Sequence, residues 1–286
     1  MADPPDTLLD AHRGEQTVDP VGTHGGPVTL RWMRRGDDAE IELITPAERR
    51  ARRARDAEGV DPELVATVLA AITDLGADPR LTGARLHLAA EHDADDVDPL
   101  PERVADDANL SQRRDLFQLR LTLPLAADHP MRAKLVDVST RAFVPGTDDE
   151  AWLRVNNRAF ADHPDQGHET ALTLAERMDE PWFDAAGFLV VDDDRRPGEL
   201  AAFCWTKVHA AAGTDPRLGE IYVIGVDPSR QGEHLGPSLV MAGLDHLAAT
   251  GVPVGMLYVD ESNAPARRLY DQLGFATHRR RRVYTS

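Results

Sequence analysis

GEIYVIGVDPSRQGEHLGPSL, from Gly219 to Leu239, is the stretch that decides how this chain folds. Glu220 to Val226 alternates and is rich in β-branched residues, which predicts a buried strand. Asp227-Pro228-Ser229 stops it. Leu235, Leu239, Val240, Leu244, Leu247 and Ala248 recur at a helical period and predict a helix over Leu235 to Ala249. Between strand and helix lies a glycine-bearing turn, Gln231-Gly232-Glu233-His234-Leu235-Gly236. The first N–H groups of a helix lack internal partners and carry partial positive charge, so such a turn suits a phosphate. Gly232 and Gly236 let the backbone come close to a ligand. An ordinary strand–turn–helix connection has the same outline, and a short glycine motif alone does not separate the two.

A second run, YVDESNAPARRLYDQLGF, covers Tyr258 to Phe275. Val254 to Asp260 reads as a buried strand, and Asn263 stands as N-cap of a helix through Leu273. Gly274 is placed to end that helix, and Phe275 to Tyr284 reads as a final strand. The pattern N-x-x-A-x-x-L-Y-x-x-L-G-F, beginning at Asn263, is more specific than the glycine turn. A Tyr270 packed in the core is the plain structural alternative to a reacting phenol. Glu220, opening the earlier strand, is a carboxylate able to act as a general base, and an exposed strand-end Glu is the plain alternative in a chain this acidic.

The bulk numbers exclude several classes. The 286 residues suit one large or two ordinary domains, and 42% hydrophobic content supports real cores. No run of 18 apolar residues appears, so no membrane span is expected. MADPPDTLLDAHRGEQ is acidic and polar, unlike a signal peptide. A single cysteine, Cys204, excludes an intrachain disulfide, fits the cytoplasm and reads as a small core residue. The net charge of −17 argues against a nucleic-acid partner. His163 and His168 flank Asp165 without a strong ligand spacing, so no metal is expected there.

Along the chain, residues 1–28 look loose. Val28 to Met33 and Glu40 to Thr45 predict a hairpin, Pro62 to Leu75 a helix, Arg85 to Ala90 a strand and Asp115 to Leu125 another. The stretch at 91–109 reads as an acidic loop or short helix. Residues 29–125 thus form a first domain and 126–135 a proline-bearing linker. From 136 to 286 the chain reads as a complete α/β domain with helices at Asp149 to Phe160 and Ala171 to Arg177. The first domain repeats the same order weakly: strand, basic segment, helix. Its counterpart of the glycine turn is filled by Ala51 to Ala54, which suits a scaffold, and one unrelated α+β domain is the alternative.

The turn resembles the phosphate loop [QR]-x-x-G-x-[GA] of the GNAT superfamily. Gln231 and Gly236 fit, His234 stands for the middle Gly, and Pro237 follows. The second run resembles the segment that carries the general acid in that superfamily. LRVNNRAFADHPDQG (153–167), EPWFD (180–184), FCWTKVH (203–209), GEIYVIGVDPSRQG (219–232) and LYVDESNAPARRLYDQLGF (257–275) together resemble the mycothiol synthase family of tandem GNAT enzymes. These blocks cover most of 136–286.

The resemblance implies an α/β, mixed-sheet fold with two GNAT-like domains, the N-terminal one degenerate. It implies a monomeric enzyme that takes acetyl-CoA and acetylates the cysteinyl amine of cysteinyl-glucosaminyl-inositol, without metal or covalent acyl-enzyme. By position, Glu220 matches the base and Tyr270 the acid. Ile224, Gly225 and Val226 match the strand edge for pantetheine. Gln231, Gly232, Glu233, His234, Leu235, Gly236 and Pro237 match the pyrophosphate cradle. Asn263, Ala264, Pro265, Ala266, Arg267 and Arg268 match the flank of the CoA arm. Asp165, Lys207, Glu220 and Tyr258 match the acceptor contacts. The anionic cofactor has to be met locally, by Arg230, Arg267, Arg268 and the run Arg279 to Arg282. Asp165 and Asp260 each stand where the family has Glu, and no N-terminal Glu matches the family's substrate contact. Two other readings remain open: acetylation of another small amine or a protein N-terminus, and a non-catalytic acyl-CoA-binding scaffold.

Overall fold

The computed structural model describes residues 13–18, 28–35, 38–45, 60–93, 98–161 and 167–285. In chain order the elements are β1 (Arg13–Val18), β2 (Val28–Arg35), β3 (Asp38–Ile44), α1 (Pro62–Gly76), β4 (Arg85–Asp93), α2 (Leu100–Asp107), β5 (Ser111–Thr122), β6 (Arg141–Ala142), α3 (Asp149–Ala159), α4 (Ala171–Met178), β7 (Phe188–Asp192), β8 (Leu200–His209), β9 (Leu218–Val226), α5 (Leu235–Ala249), β10 (Val254–Asp260), α6 (Ala264–Leu273) and β11 (Ala276–Thr285). They form two compact units. Of the described residues, 13–118, 259–264 and 277–285 make the N-terminal unit, and 119–258 with 265–276 make the C-terminal unit.

In the N-terminal unit the strand order is β1-β2-β3-β4-β11-β5. Val28, Leu30 and Trp32 of β2 and Ala39, Ile41 and Leu43 of β3 point to one face and are buried, the period of two that a half-covered sheet requires. The apolar face of α1, with Leu64, Val65 and Val68, packs in the same core cluster. Asp61 caps α1 by accepting from the Glu63 N–H at 2.9 Å. Two elements differ from the sequence reading. Arg13–Val18 pairs antiparallel with Val28–Met33, so a strand begins inside the stretch that reads as loose. The last strand of the chain, β11, pairs with β4 and so belongs to this unit.

The C-terminal unit has the order β10-β9-β8-β7-β6, with the end of β5 beside β10. β7, β8 and β9 are antiparallel neighbours, and α5 crosses over to bring β10 parallel to β9. This is the same sequence of steps as β1-β2-β3, α1 and the parallel β4 in the first unit. The core is aromatic. Phe188 stacks between Phe143 at 4.2 Å and Trp205 at 4.3 Å, and Trp152 meets Phe188, Phe203 and Trp205 edge-on, each at 5.7 Å. α5 packs on β8 and β9, with Leu239, Val240, Met241, Leu244 and Leu247 buried.

Candidate active site

The two units differ where strand meets parallel strand. In the N-terminal unit β3 and β4 pair at six positions, from Asp38↔Arg85 to Leu43↔Ala90. In the C-terminal unit β9 and β10 pair at only three, ending at Met256↔Glu220. The cause sits on the other edge of β9. Trp205 pairs with Val223 and Thr206 with Ile221, so Tyr222 is an extra residue, a β-bulge. A bulge bends and twists its strand. Beyond it, Ile224, Gly225 and Val226 keep β8 as neighbour and have no strand partner on the β10 edge among the described residues. A sheet opened in this way offers backbone groups to an extended, amide-bearing ligand. The N-terminal unit has no such opening among its described residues. Ala51 to Ala54 lie outside the described residues.

The opened edge leads to the start of α5. Val226, Arg230, Gln231, Gly232 and the helix-start residues His234 to Pro237 enclose a hollow of about 240 Å³. Gly232 has φ +85° and His234 φ +60°, both in the left-handed region. Glycine suits that conformation and histidine adopts it at a cost of about 1 kcal/mol. His234 is exposed and lines the hollow. Pro237 lies in the first turn of α5, where a missing N–H breaks no helix bond. The N–H groups of Gly232, His234, Leu235 and Gly236 have no backbone partner among the described residues. A Cβ built on Gly236 meets no protein atom within 4 Å, so packing does not explain this glycine. The donor set and the empty approach at Gly236 fit a pyrophosphate. Gly225 differs, because its Cβ would lie 2.7 Å from the Phe203 ring, and core packing alone requires glycine there. Gly236→Val is expected to leave thermal stability within about 1 kcal/mol while weakening acetyl-CoA binding at least about tenfold. Calorimetric titration beside a melting curve checks this, and an unchanged dissociation constant would place the pyrophosphate elsewhere.

The turn itself is held by Asp227, which is buried. Its Oδ1 accepts from the Ser229 N–H at 2.9 Å and from Ser229 Oγ at 2.6 Å. Its Oδ2 accepts from Arg158 of α3 at 2.8 Å and lies 3.1 Å from Arg196. Burial alone would raise this carboxyl, but the bonds from Ser229, Arg158 and Arg196 outweigh it and hold it far below the usual carboxylate range. The sequence reading treats Asp227-Pro228-Ser229 only as a strand stop. The Asx-turn signature was there to be used, but its arginine partners come from distant segments.

Glu220 lies at the closed end of the opening, its side chain 7% exposed. Its Oε2 is 2.7 Å from Nε2 of His209, at the end of β8. Lys207 faces Glu220 in register, and its Nζ sits 4.5 Å from the Trp182 ring centroid and 5.4 Å from that of Tyr222. Sequence reasoning names Lys207 but neither His209 nor the two rings. Tyr258 is half-buried on β10. Tyr270, on α6, is buried, with its ring 5.6 Å from Phe275, and burial pushes its phenol up to about 12. Gly274, at φ +88°, ends α6 as expected. Pro265 to Arg268 belong to this unit, whereas Asn263 and Ala264 belong to the other. Asp165 and His163 lie outside the described residues. Among the described residues no cluster of three metal-ligating side chains occurs, and no helix is long and apolar enough to cross a membrane. Cys204 is fully buried on β8, its thiol pushed up to about 12 by burial, which leaves it inert.

Two expectations about cations are corrected. Arg230 borders the hollow, but its guanidinium is engaged by Asp193 at 2.7 Å, Asp194 at 2.8 Å and Glu233 at 2.9 Å. Arg279 to Arg282 are not a patch of free cations for the cofactor. They lie in β11 of the N-terminal unit, where Arg279 pairs with Glu91, Arg280 and Arg282 with Asp115, and Arg281 with Glu40 and Glu42. The acidic excess of the neighbouring strands draws them inward.

Residues 152–275 match the family model for the acetyltransferase (GNAT) family. A mycothiol acetyltransferase from Acidimicrobium ferrooxidans is 41% identical over 278 residues, spanning 94% of this chain and 84% of that protein. The chain belongs to the mycothiol acetyltransferase family of GNAT proteins. A second mycothiol acetyltransferase, from Kocuria rhizophila, is 46% identical over 178 residues, 62% of this chain. The match spans 59% of that relative, less than two thirds of its length. Among solved structures, a GCN5-related N-acetyltransferase from Sphaerobacter thermophilus superposes with TM-score 0.66 at 18% identity, covering 91% of this chain and 80% of its own. A tandem GNAT protein from the clavulanic acid biosynthesis pathway gives 0.55 at 16% identity, covering 96% and 83%. These two likenesses show the GNAT fold of this mycothiol acetyltransferase family member, and the second is to a tandem GNAT protein.

Proposed function

We propose that this chain is an acetyl-CoA-dependent N-acetyltransferase that acetylates the cysteinyl amine of cysteinyl-glucosaminyl-inositol, the last step in making mycothiol. The observation that carries the reading is the bulged β9, which leaves β10 after three paired residues with Glu220 at the closed end of the gap. The name shared by the relatives supports the acceptor. Acetyl-CoA supplies the acetyl thioester when bound. Gly232 to Gly236 hold its pyrophosphate on backbone N–H groups, and Ile224 to Val226 hold its pantetheine arm. Pro265 to Arg268 flank the arm. Glu220 takes the proton from the amine, Lys207 and Tyr258 orient the acceptor, and the Val226 N–H polarises the thioester carbonyl. Tyr270 gives its proton to the leaving sulfur, and a phenol raised to about 12 is protonated throughout the physiological range.

Free CoA release from acetyl-CoA and cysteinyl-glucosaminyl-inositol tests this with the purified protein. Turnover of this acceptor at a higher kcat/KM than simple amines supports the proposal. Tight acetyl-CoA binding with turnover only of other amines would sink the acceptor assignment, and binding without any turnover would leave a scaffold.

A further inference from the structure

The reaction proposed above fixes how many protons must move. The acceptor arrives as an ammonium and ends as an amide nitrogen, so it loses two protons per turnover. The C–S bond of the thioester breaks as the C–N bond forms, Tyr270 protonates the leaving sulfur, and one of the two amine protons replaces the one that Tyr270 gave. The other is left on the enzyme at Glu220 and has to reach solvent before the next cycle. Glu220 cannot easily discharge it alone, because its side chain is 7% exposed. One group in contact with its carboxylate is better placed. His209 lies at the last position of β8, its side chain 20% exposed, with Nε2 at 2.7 Å from Oε2 of Glu220.

Resting on that reading, we propose that His209 is the proton exit of this site. Protonated Oε2 donates to the bare Nε2 of the neutral imidazole, and the imidazolium so formed gives that Nε2 proton to water from its partly exposed ring. While the ring is an imidazolium, Nε2–H donates to the re-ionised Oε2 and holds it, and once that proton has left, Nε2 is bare again for the next cycle. His209 is therefore a positioning residue that acts through Glu220. The backbone makes this geometry. His209 and Lys207 are two apart on β8 and share a face, and Lys207 is the register partner of Glu220.

His209→Ala and His209→Gln test it together in the full chain, with cysteinyl-glucosaminyl-inositol as acceptor. Gln keeps a hydrogen-bond donor to Glu220 but carries no proton away. Acetyl-CoA affinity, measured first, reports folding, and should Ala lose it, Gln alone decides. The expected result is a kcat lower by about 100-fold in both variants, the lower end of what a positioned proton-transfer group contributes, with acetyl-CoA affinity unchanged. Added imidazole should restore the Ala variant by roughly tenfold or more and leave the wild type unaffected. A Gln variant as fast as wild type means that His209 only orients Glu220, and an Ala variant as fast as wild type means that it does nothing; either overturns the inference. An inactive wild type removes this inference and the proposed function together, whereas an active wild type with an equally active variant removes this inference alone.

Discussion

Tyr270→Phe should lower kcat by about 100-fold to 10,000-fold while leaving acetyl-CoA affinity and the melting temperature nearly unchanged. The substitution keeps the ring and its edge contact with Phe275 at 5.6 Å, and removes only the O–H. Loss of one such group costs stability about 1 kcal/mol at most. The chemical loss is larger because the leaving sulfur then has no positioned proton. Stopped-flow CoA release with saturating acceptor measures it, and a kcat within a factor of about three of wild type would show that solvent protonates the thiolate. The phenol also predicts an alkaline limb. Its ordinary value is about 10 and its folded value about 12, so the folded state favours the protonated form. Its contribution to stability is complete below pH 10 and is lost as pH rises from 10 to 12. An absorbance titration of the folded protein should lose a phenolate step near pH 12 in Tyr270→Phe.

Asp227→Asn should cost about 2–3 kcal/mol and slacken the cradle for acetyl-CoA. The carboxylate is buried and accepts from Ser229, Arg158 and Arg196. Both arginine side chains are more than a third exposed, at 37% and 38%, and can turn to water, which keeps the cost below that of a fully enclosed pair. In a unit of this size the change corresponds to about 5–10 °C in melting temperature. Acetyl-CoA affinity should fall roughly tenfold, since Asp227 sets where Gly232 to Gly236 point. The wild type should also show an acid slope. The Asp227 pKa is depressed on folding, so its contribution is fully present above the unfolded value of about 3.9 and is lost as pH falls below it. Asp227→Asn should remove that slope. Equal melting temperatures for the two proteins from pH 2.5 to 7 would refute this.

Much of the candidate site follows from local pattern. The β-branched alternation of Glu220 to Val226, the glycines at 232 and 236 and the period of Leu235 to Ala249 make a strand, an open turn and a helix start within one continuous stretch. Tyr270 and Gly274 are equally local, because α6 sets one and ends at the other. Interactions of short range carry their own signature, and the sequence by itself determined these elements and the order of the repeat.

What the fold alone decided are contacts between segments far apart in the chain. The bulge at Tyr222 is visible only in the register of β8 against β9, and that register separates an opened sheet from the closed one in the N-terminal unit. Asp227 reads as a strand stop until Arg158 and Arg196 arrive from α3 and the loop before β8. Arg230 and Arg279 to Arg282 read as cations for an anionic ligand, yet carboxylates remote in sequence claim them. A charge on its own says nothing about its partner, and partners across a sheet are chosen by strand order and register.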